Sequence, residues 1–210
     1  MKDYPKSLKG KLRLISEETA RMSYPGSMSR GKKSRRVVNQ GTKEVLEEYF
    51  KEKFPIRQLW LNSKRIARNY DTWHKREIGK LATFLLENKC FGNPTNEQDA
   101  VAAKFLNTFM NQLLKYPEFQ QLRRCLHLPV DSGALKAICE LGESGNSKAL
   151  GKLSESGLKK STPPYGITCD QYMTIQCALR EYVRELNKRR NLQFKVDSVI
   201  DLNSYLWIPS

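Results

Sequence analysis

The stretch LHLPVDSGALKAICELG, residues 126–142, contains the sharpest change of local structure in the chain. Pro129 disfavours helix at the residue before it, so the stretch begins extended. The carboxylate of Asp131 can then accept hydrogen bonds from the free N–H groups of a helix start. The apolar positions that follow recur at helical spacing and end at a glycine: Leu135, Ile138, Leu141 and then Gly142. The stretch therefore predicts a helix with a carboxylate fixed at its N-terminus.

Helical periodicity on both sides of this stretch predicts an all-α fold, a compact domain of several helices. One helix is predicted from Thr42 and a second after Pro55, and Asp71 is a candidate cap for a third. The predicted buried positions are Val45, Leu46, Tyr49 and Phe50, then Ile56, Leu59, Trp60 and Ile66, then His74, Ile78, Leu81 and Leu85, then Ala102, Phe105, Leu106, Phe109, Met110 and Leu113, and finally Tyr172, Ile175, Leu179, Tyr182, Val183 and Leu186.

Two Thr-x-x-Gln pairs have the spacing of a capping box, in which a threonine and a glutamine satisfy each other's backbone N–H groups. Thr95 with Gln98 and Thr168 with Gln171 each precede an apolar period of helical spacing. Each pair therefore predicts the start of a helix.

The domain organisation is predicted from composition. Residues 1–40 are interpreted as a basic N-terminal arm and residues 41–210 as one main helical domain. Within it, residues 143–167 are rich in Gly, Ser and Lys and poor in large apolar residues. This segment is predicted to be an exposed loop or linker, with room for one short helix.

The formal net charge of +15 and the pI near 9.7 give the protein a field that attracts polyanions, above all nucleic acid. Residues 1–40 hold eleven Lys or Arg and three acids. Their densest run, RGKKSRR at 30–36, has no apolar period and is interpreted as a mobile arm on phosphates, with a solubilising tail as the alternative. The predicted contacts to the DNA backbone are Arg30, Lys32, Lys33, Arg35 and Arg36 in the arm, and Lys64, Arg65 and Arg68 on a helix.

The five cysteines form no Cys-x-x-Cys pair and show no spacing typical of a metal site, so reduced thiols are expected. No apolar run approaches the roughly 20 residues of a membrane span, and the N-terminus lacks the apolar core of a secretion signal. We therefore expect a cytoplasmic protein with no membrane partner, and no metal or redox cofactor is implied.

The segment from Val130 to Leu135, followed by Leu141-Gly142, resembles the VDTHVxR…LG segment of helix-hairpin-helix DNA glycosylases. Within that superfamily, it most resembles the archaeal 8-oxoguanine glycosylase branch. The resemblance implies that Asp131 begins a helix facing an extrahelical base and stabilises the cationic sugar. In lyase-competent members a lysine on an earlier helix attacks C1′ of the sugar, and Lys104 is the candidate for that role. From the residues alone, Asp131 as a plain helix cap and Lys104 as a lysine at a helix edge remain open.

The resemblance implies a monomeric DNA glycosylase that excises a damaged or modified base from double-stranded DNA, in repair or in antiviral defence against modified phage DNA. Such an enzyme needs a pocket for the flipped base, and aromatic side chains stack on extruded bases. The candidates for that pocket are Trp207, Trp73, Tyr70 and His127.

Two other functions remain open from the sequence. The run RNYDTWH, residues 68–74, resembles the R-x(4–6)-H motif of HEPN ribonucleases, which implies that Arg68 and His74 cleave RNA together. His74 also shares an apolar stripe with Ile78 and Leu81, which favours a buried histidine of the core. A protein that binds nucleic acid without altering it is the other alternative.

Overall fold

The computed structural model describes residues 8–22, 38–91, 98–145, 147–162, 166–188 and 196–202. Within these ranges the chain is helical, and its one extended pairing is an isolated antiparallel bridge between Val38 and Phe91. The all-α class is therefore confirmed. By its internal contacts the chain divides into a first unit, Met1–Leu122, and a second unit, Arg123–Ser210.

The first unit is built around helices α5 and α6, which pack against each other. Helix α1 packs against α6 and against a π-helical turn at Tyr49–Lys53, and α4 packs against a 3-10 turn at Pro117–Leu122. The α-helices of this unit are α1 Leu8–Met22, α2 Thr42–Glu48, α3 Ile56–Leu61, α4 Ser63–Arg68, α5 Tyr70–Glu87 and α6 Gln98–Leu113.

The predicted apolar faces of α5 and α6 are buried, which confirms those helices. The two earlier predicted faces are buried only in part, since Val45, Trp60 and Ile66 are half-exposed. At the centre Phe50 stacks on Phe109, with ring centroids 4.0 Å apart and planes 4° from parallel. The start of α5 differs from the prediction. Asn69 rather than Asp71 precedes the helix, so Asp71 lies inside the first turn. The side chain of Asn69 makes no capping hydrogen bond.

Helix α1 corrects the predicted extent of the basic arm. Its side chains Leu12 and Ile15 are 2% and 1% exposed, and the Ser16 hydroxyl donates a hydrogen bond to the carbonyl of Phe50. The helix therefore belongs to the packed body of the first unit, because these apolar residues give it a face to bury. The basic run at 30–36 lies outside the described residues.

The second unit consists of α7 Ser132–Glu143, α8 Lys148–Gly151 and α9 Cys169–Lys188 with two 3-10 turns, Lys152–Ser156 and Val199–Leu202. The capping box at the start of α9 is confirmed. The Thr168 N–H donates to Oε1 of Gln171 at 3.0 Å, and the Gln171 N–H donates to Oγ1 of Thr168 at 3.2 Å. The six predicted apolar positions of α9 are buried.

Residues 143–167 are not an exposed linker in their described parts. Helix α8 packs against both α7 and α9, and Leu150, Leu153 and Leu158 are buried. Glu185 of α9 holds the start of α8, since its carboxylate accepts hydrogen bonds from the Ser147 hydroxyl at 2.6 Å and the Ala149 N–H at 3.2 Å. The prediction was wrong because a few leucines suffice when two longer helices supply the rest of the core.

Across the described part of the chain, no helix combines the length and apolarity that a membrane crossing requires.

Candidate nucleic-acid interface

A run of basic side chains covers the three consecutive helices α3, α4 and α5 of the first unit. Residues 56–80 contain seven Lys or Arg and two acids, and all seven basic side chains are exposed. We call this set the α3–α5 basic surface: Arg57, Lys64, Arg65, Arg68, Lys75, Arg76 and Lys80.

Burial of the opposite sides of the helices turns these side chains outward. Leu59 of α3 is fully buried, and Tyr70 and Trp73 of α5 are 3% and 7% exposed. Asn62 and Asn69 separate the three helices, and the basic side chains of all three stay in water.

Most of the charge on this surface is uncompensated. Arg76 and Lys80 each donate to Oε1 of the buried Glu77 at 3.1 Å. Within the described ranges, the exposed side chains of Arg57, Lys64, Arg65 and Arg68 have no acidic partner. Elsewhere in the same unit, acids pair with the basic side chains: Glu17 with Arg13 and Lys51, and Glu118 with Lys11.

The side chain of Glu77 lies beneath this surface, in the interior of the first unit. Burial raises the pKa of the Tyr49 phenol, and the negative charge of Glu77 raises it further. Arg76 and Lys80 therefore share one buried carboxylate oxygen as their acidic partner.

An open cleft of about 360 Å³ lies within the α3–α5 basic surface. We call it the α3–α5 cleft, and it is lined by Gln58, Asn62, Arg65, Ile66, Asn69, Thr72, Trp73 and Arg76. Its wall combines two guanidinium groups, three amides and one hydroxyl with the edge of an indole. The chemistry of this wall suits a ligand with anionic and hydrogen-bonding groups.

The predicted backbone contacts on α4, Lys64, Arg65 and Arg68, are all exposed on this surface. The other predicted backbone contacts, in the run at 30–36, fall outside the described residues. Four residues of the surface were not predicted from the sequence: Arg57, Lys75, Arg76 and Lys80. The count of seven basic residues against two acids was nevertheless available from the sequence. The amides of the cleft carried no such signal.

The described candidates for a base pocket are divided between the two units: Tyr70 and Trp73 belong to the first, and His127 belongs to the second. Tyr70 and Trp73 pack in the core of the first unit with ring centroids 5.6 Å apart, although the edge of Trp73 reaches the cleft. His127 is 1% exposed in the second unit, 5.7 Å from the ring of Tyr172. Tyr70 and His127 therefore offer no open stacking surface, and Trp207 lies outside the described residues.

Asp131 occupies the N-cap of α7, as the sequence predicts. Its Oδ1 accepts a hydrogen bond from the Ala134 N–H at 2.9 Å, and its side chain is half-buried. Lys104 is half-buried on α6 of the first unit, whereas Asp131 belongs to the second unit. Their pairing in one active site stays a prediction.

Arg68 and His74 differ sharply in exposure. Arg68 is exposed at the end of α4, whereas His74 is fully buried, with Nε2 2.8 Å from Oδ1 of Asn107 and its ring stacked on Tyr70. An imidazole without exposed surface cannot touch an RNA chain, so the geometry favours the core histidine.

Within the described residues, no group of three or more His, Cys, Asp or Glu side chains is placed to hold a metal ion. The chain matches no protein-family model, no curated protein and no solved structure.

Proposed function

We propose that this protein binds nucleic acid through the α3–α5 basic surface. The observation that carries the proposal is the group of four exposed cations between residues 57 and 68 that have no acidic partner among the described residues. Cations of this kind replace the counterions condensed on a phosphate backbone, and release of those counterions drives binding. Double-stranded DNA, with its high density of phosphates, is the ligand that the sequence predicts.

Counterion release gives the proposal a quantitative form. Each phosphate contact contributes about −0.9 to the slope of log K against log salt for a DNA duplex. Four such contacts from the basic surface correspond to a slope of about −3.6, to which any contacts of the run at 30–36 add.

The test compares two variants of equal charge. Lys64→Gln/Arg68→Gln removes two cations from the basic surface, and Lys148→Gln/Arg184→Gln removes two exposed cations from α8 and α9. We expect the first variant to bind a fluorescent 20-base-pair duplex roughly tenfold more weakly. Its slope of log K against log salt should be smaller in magnitude by about 2. The second should bind as the wild type does. Equal losses in both variants would contradict a localised surface, since net charge alone would then explain binding.

A DNA glycosylase is the second candidate, favoured by the half-exposed carboxylate of Asp131 at the start of α7. In this proposal Asp131 stabilises the oxocarbenium-like sugar or activates water, and Lys104 acts as the nucleophile if the enzyme also nicks the strand. The substrate would be a damaged or modified base presented outside the duplex.

The glycosylase test uses oligonucleotides that carry several modified bases, with abasic sites as the readout. Asp131→Asn is the informative variant, because asparagine caps a helix as well as aspartate does but carries no charge. We expect base release to disappear while the free energy of unfolding stays unchanged. Base release that survives in Asp131→Asn would rule out this mechanism.

Borohydride trapping tests the role of Lys104 separately. A Schiff base between the lysine and the sugar would be reduced to a stable adduct, and this adduct should be lost in Lys104→Ala. Base release without any adduct would mean that water, and not the lysine, attacks the sugar.

A further inference from the structure

We propose that the α3–α5 cleft holds one nucleotide of a single-stranded segment of the bound nucleic acid. The inference rests on the proposed nucleic-acid binding and deepens it, because it adds a preference for strand state to a surface that attracts any polyphosphate. The charges of the surface would draw the ligand in, and the cleft would select unpaired nucleotides.

The size of the cleft argues for a ligand larger than a phosphate group. Its volume of about 360 Å³ lies within the range of small-molecule sites. A phosphate alone would leave most of that space to water, whereas a phosphate with its sugar and base would use it. A base inside a duplex is stacked and paired, so it does not enter a concave site.

The polar wall of the cleft matches the parts of a nucleotide. Arg65 and Arg76 supply planar guanidinium groups, which bind phosphate oxygens with two parallel hydrogen bonds. The side-chain amides of Gln58 and Asn69 make no hydrogen bond within the described ranges, and Asn69 does not cap α5. Each therefore has a donor and an acceptor available for the edge of a base.

Apolar groups lie where the face of a base would need them. Ile66 is half-exposed in the cleft, and the edge of Trp73 forms part of the wall. Leu61 is 58% exposed and follows Gln58 by three residues on α3, so the two side chains are neighbours on the helix. A base can pack against these groups while its edge meets the amides.

The experiment removes the amides and keeps the charge. Gln58→Ala/Asn69→Ala eliminates two neutral groups of the cleft, and Gln40→Ala removes an exposed amide from the turn before α2 as a control. The probes are a fluorescent 15-nucleotide single-stranded DNA and the duplex of the same sequence, each titrated with the full-length protein over a range of salt concentrations. Thr72→Val provides a second, nearly isosteric cleft variant, and thermal unfolding followed by circular dichroism verifies the folding of each protein.

We expect the wild type to bind the single strand at least as tightly as the duplex, although the duplex has about twice the charge. The double amide variant should bind the single strand about tenfold more weakly, while its duplex affinity and salt slopes stay within twofold of the wild type. Thr72→Val should show a smaller loss of the same kind, and Gln40→Ala should show none.

Two failures are distinguishable. The nucleotide site is overturned if the wild type binds the duplex more tightly than the single strand. It is also overturned if the amide variant loses equal affinity for both probes, or loses none for either. In each case the proposed binding to the basic surface stands. If Lys64→Gln/Arg68→Gln also leaves the affinity for both probes unchanged, the proposed function itself is overturned.

Discussion

Gly142 of α7 lies where the backbones of α7 and α8 approach each other. A Cβ atom at this position would be 2.7 Å from the carbonyl oxygen of Leu150 and 2.9 Å from its carbonyl carbon. Real Cβ atoms are essentially never that close to backbone, and backbone has little freedom to withdraw. The glycine is therefore required by tertiary packing, although in the sequence it resembles an ordinary helix terminator.

Gly142→Ala should lower the free energy of unfolding by about 1–3 kcal/mol, because the added methyl group forces two packed helices apart. Gly79→Ala is the matched control, since a Cβ there meets no atom within 4 Å and Gly79 lies inside helix α5. The control should gain about 0.5–1 kcal/mol from its better helix propensity. Urea unfolding measures both, and a neutral or stabilising Gly142→Ala would contradict the close approach.

Cysteine reactivity is also decided residue by residue. Cys177 is exposed, whereas Cys90 is buried and its pKa is raised above the ordinary value by that burial. We expect iodoacetamide at neutral pH to modify Cys177 first and Cys90 last, because reaction needs both access and a thiolate. Mass spectrometry of timed digests measures the order, and in urea the difference should disappear. Early modification of Cys90 in the folded protein would contradict its burial.

Helices α5 and α6 are joined in the core by the hydrogen bond between His74 and Asn107, 2.8 Å long and fully buried. Asn107→Ala should lower the free energy of unfolding by about 1–3 kcal/mol, because the imidazole loses a partner in a place that water does not reach. Replacing both residues by apolar ones, as in His74→Phe/Asn107→Leu, should cost less than the sum of the two single changes. Additive effects in this double-mutant cycle would show that the two side chains do not interact.

The ion pair between Lys11 and Glu118 connects α1 to the 3-10 turn at Pro117–Leu122. The hydrogen bond from Lys11 lowers the pKa of the Glu118 carboxyl below its ordinary value. A lowered pKa in the folded state means that the pair stabilises the fold above the unfolded pKa, and that this contribution is lost as the pH falls through the folded pKa.

Acidification from pH 5 to pH 3 should therefore destabilise the wild type more than Lys11→Met. The difference should stay below about 1 kcal/mol, because the pair is partly exposed and water screens it. Urea unfolding at pH 7, 5 and 3 measures the difference between the two proteins at each pH. A constant difference over this range would mean that the pair does not set the pKa of Glu118.

For the whole molecule, the net charge of +15 makes binding to polyanions depend on salt, and the run at 30–36 contributes five of the positive charges. Deleting residues 1–36 would also remove α1, which is packed in the first unit. Replacing the five basic residues of the run by glutamine is the sharper experiment, and it should weaken duplex binding and lower its salt slope. The free energy of unfolding should stay unchanged. An unaltered slope would contradict the predicted phosphate contacts of this run.

The sequence predicted the parts of the fold that depend on neighbours along the chain. The apolar periods of α5, α6 and α9, the capping box of Thr168 with Gln171 and the N-cap of Asp131 all follow from helix geometry within a few residues. The predictions were wrong where contacts between residues far apart in the sequence determine which side chains are buried. Helix α8 and its leucines are buried because α7 and α9 cover them, and α1 is packed because α6 offers it a surface.

The stretch from Leu126 to Gly142 shows where this division lies. The sequence by itself determined the helix and its capping carboxylate, because a side chain and the backbone N–H groups three residues away meet in any chain that folds locally this way. Only the tertiary structure decided that Gly142 must be a glycine, that His74 is out of reach of a ligand, and that two arginines and three amides line one cleft. Those properties depend on which helices pack together, and packing brings together side chains that no local pattern relates.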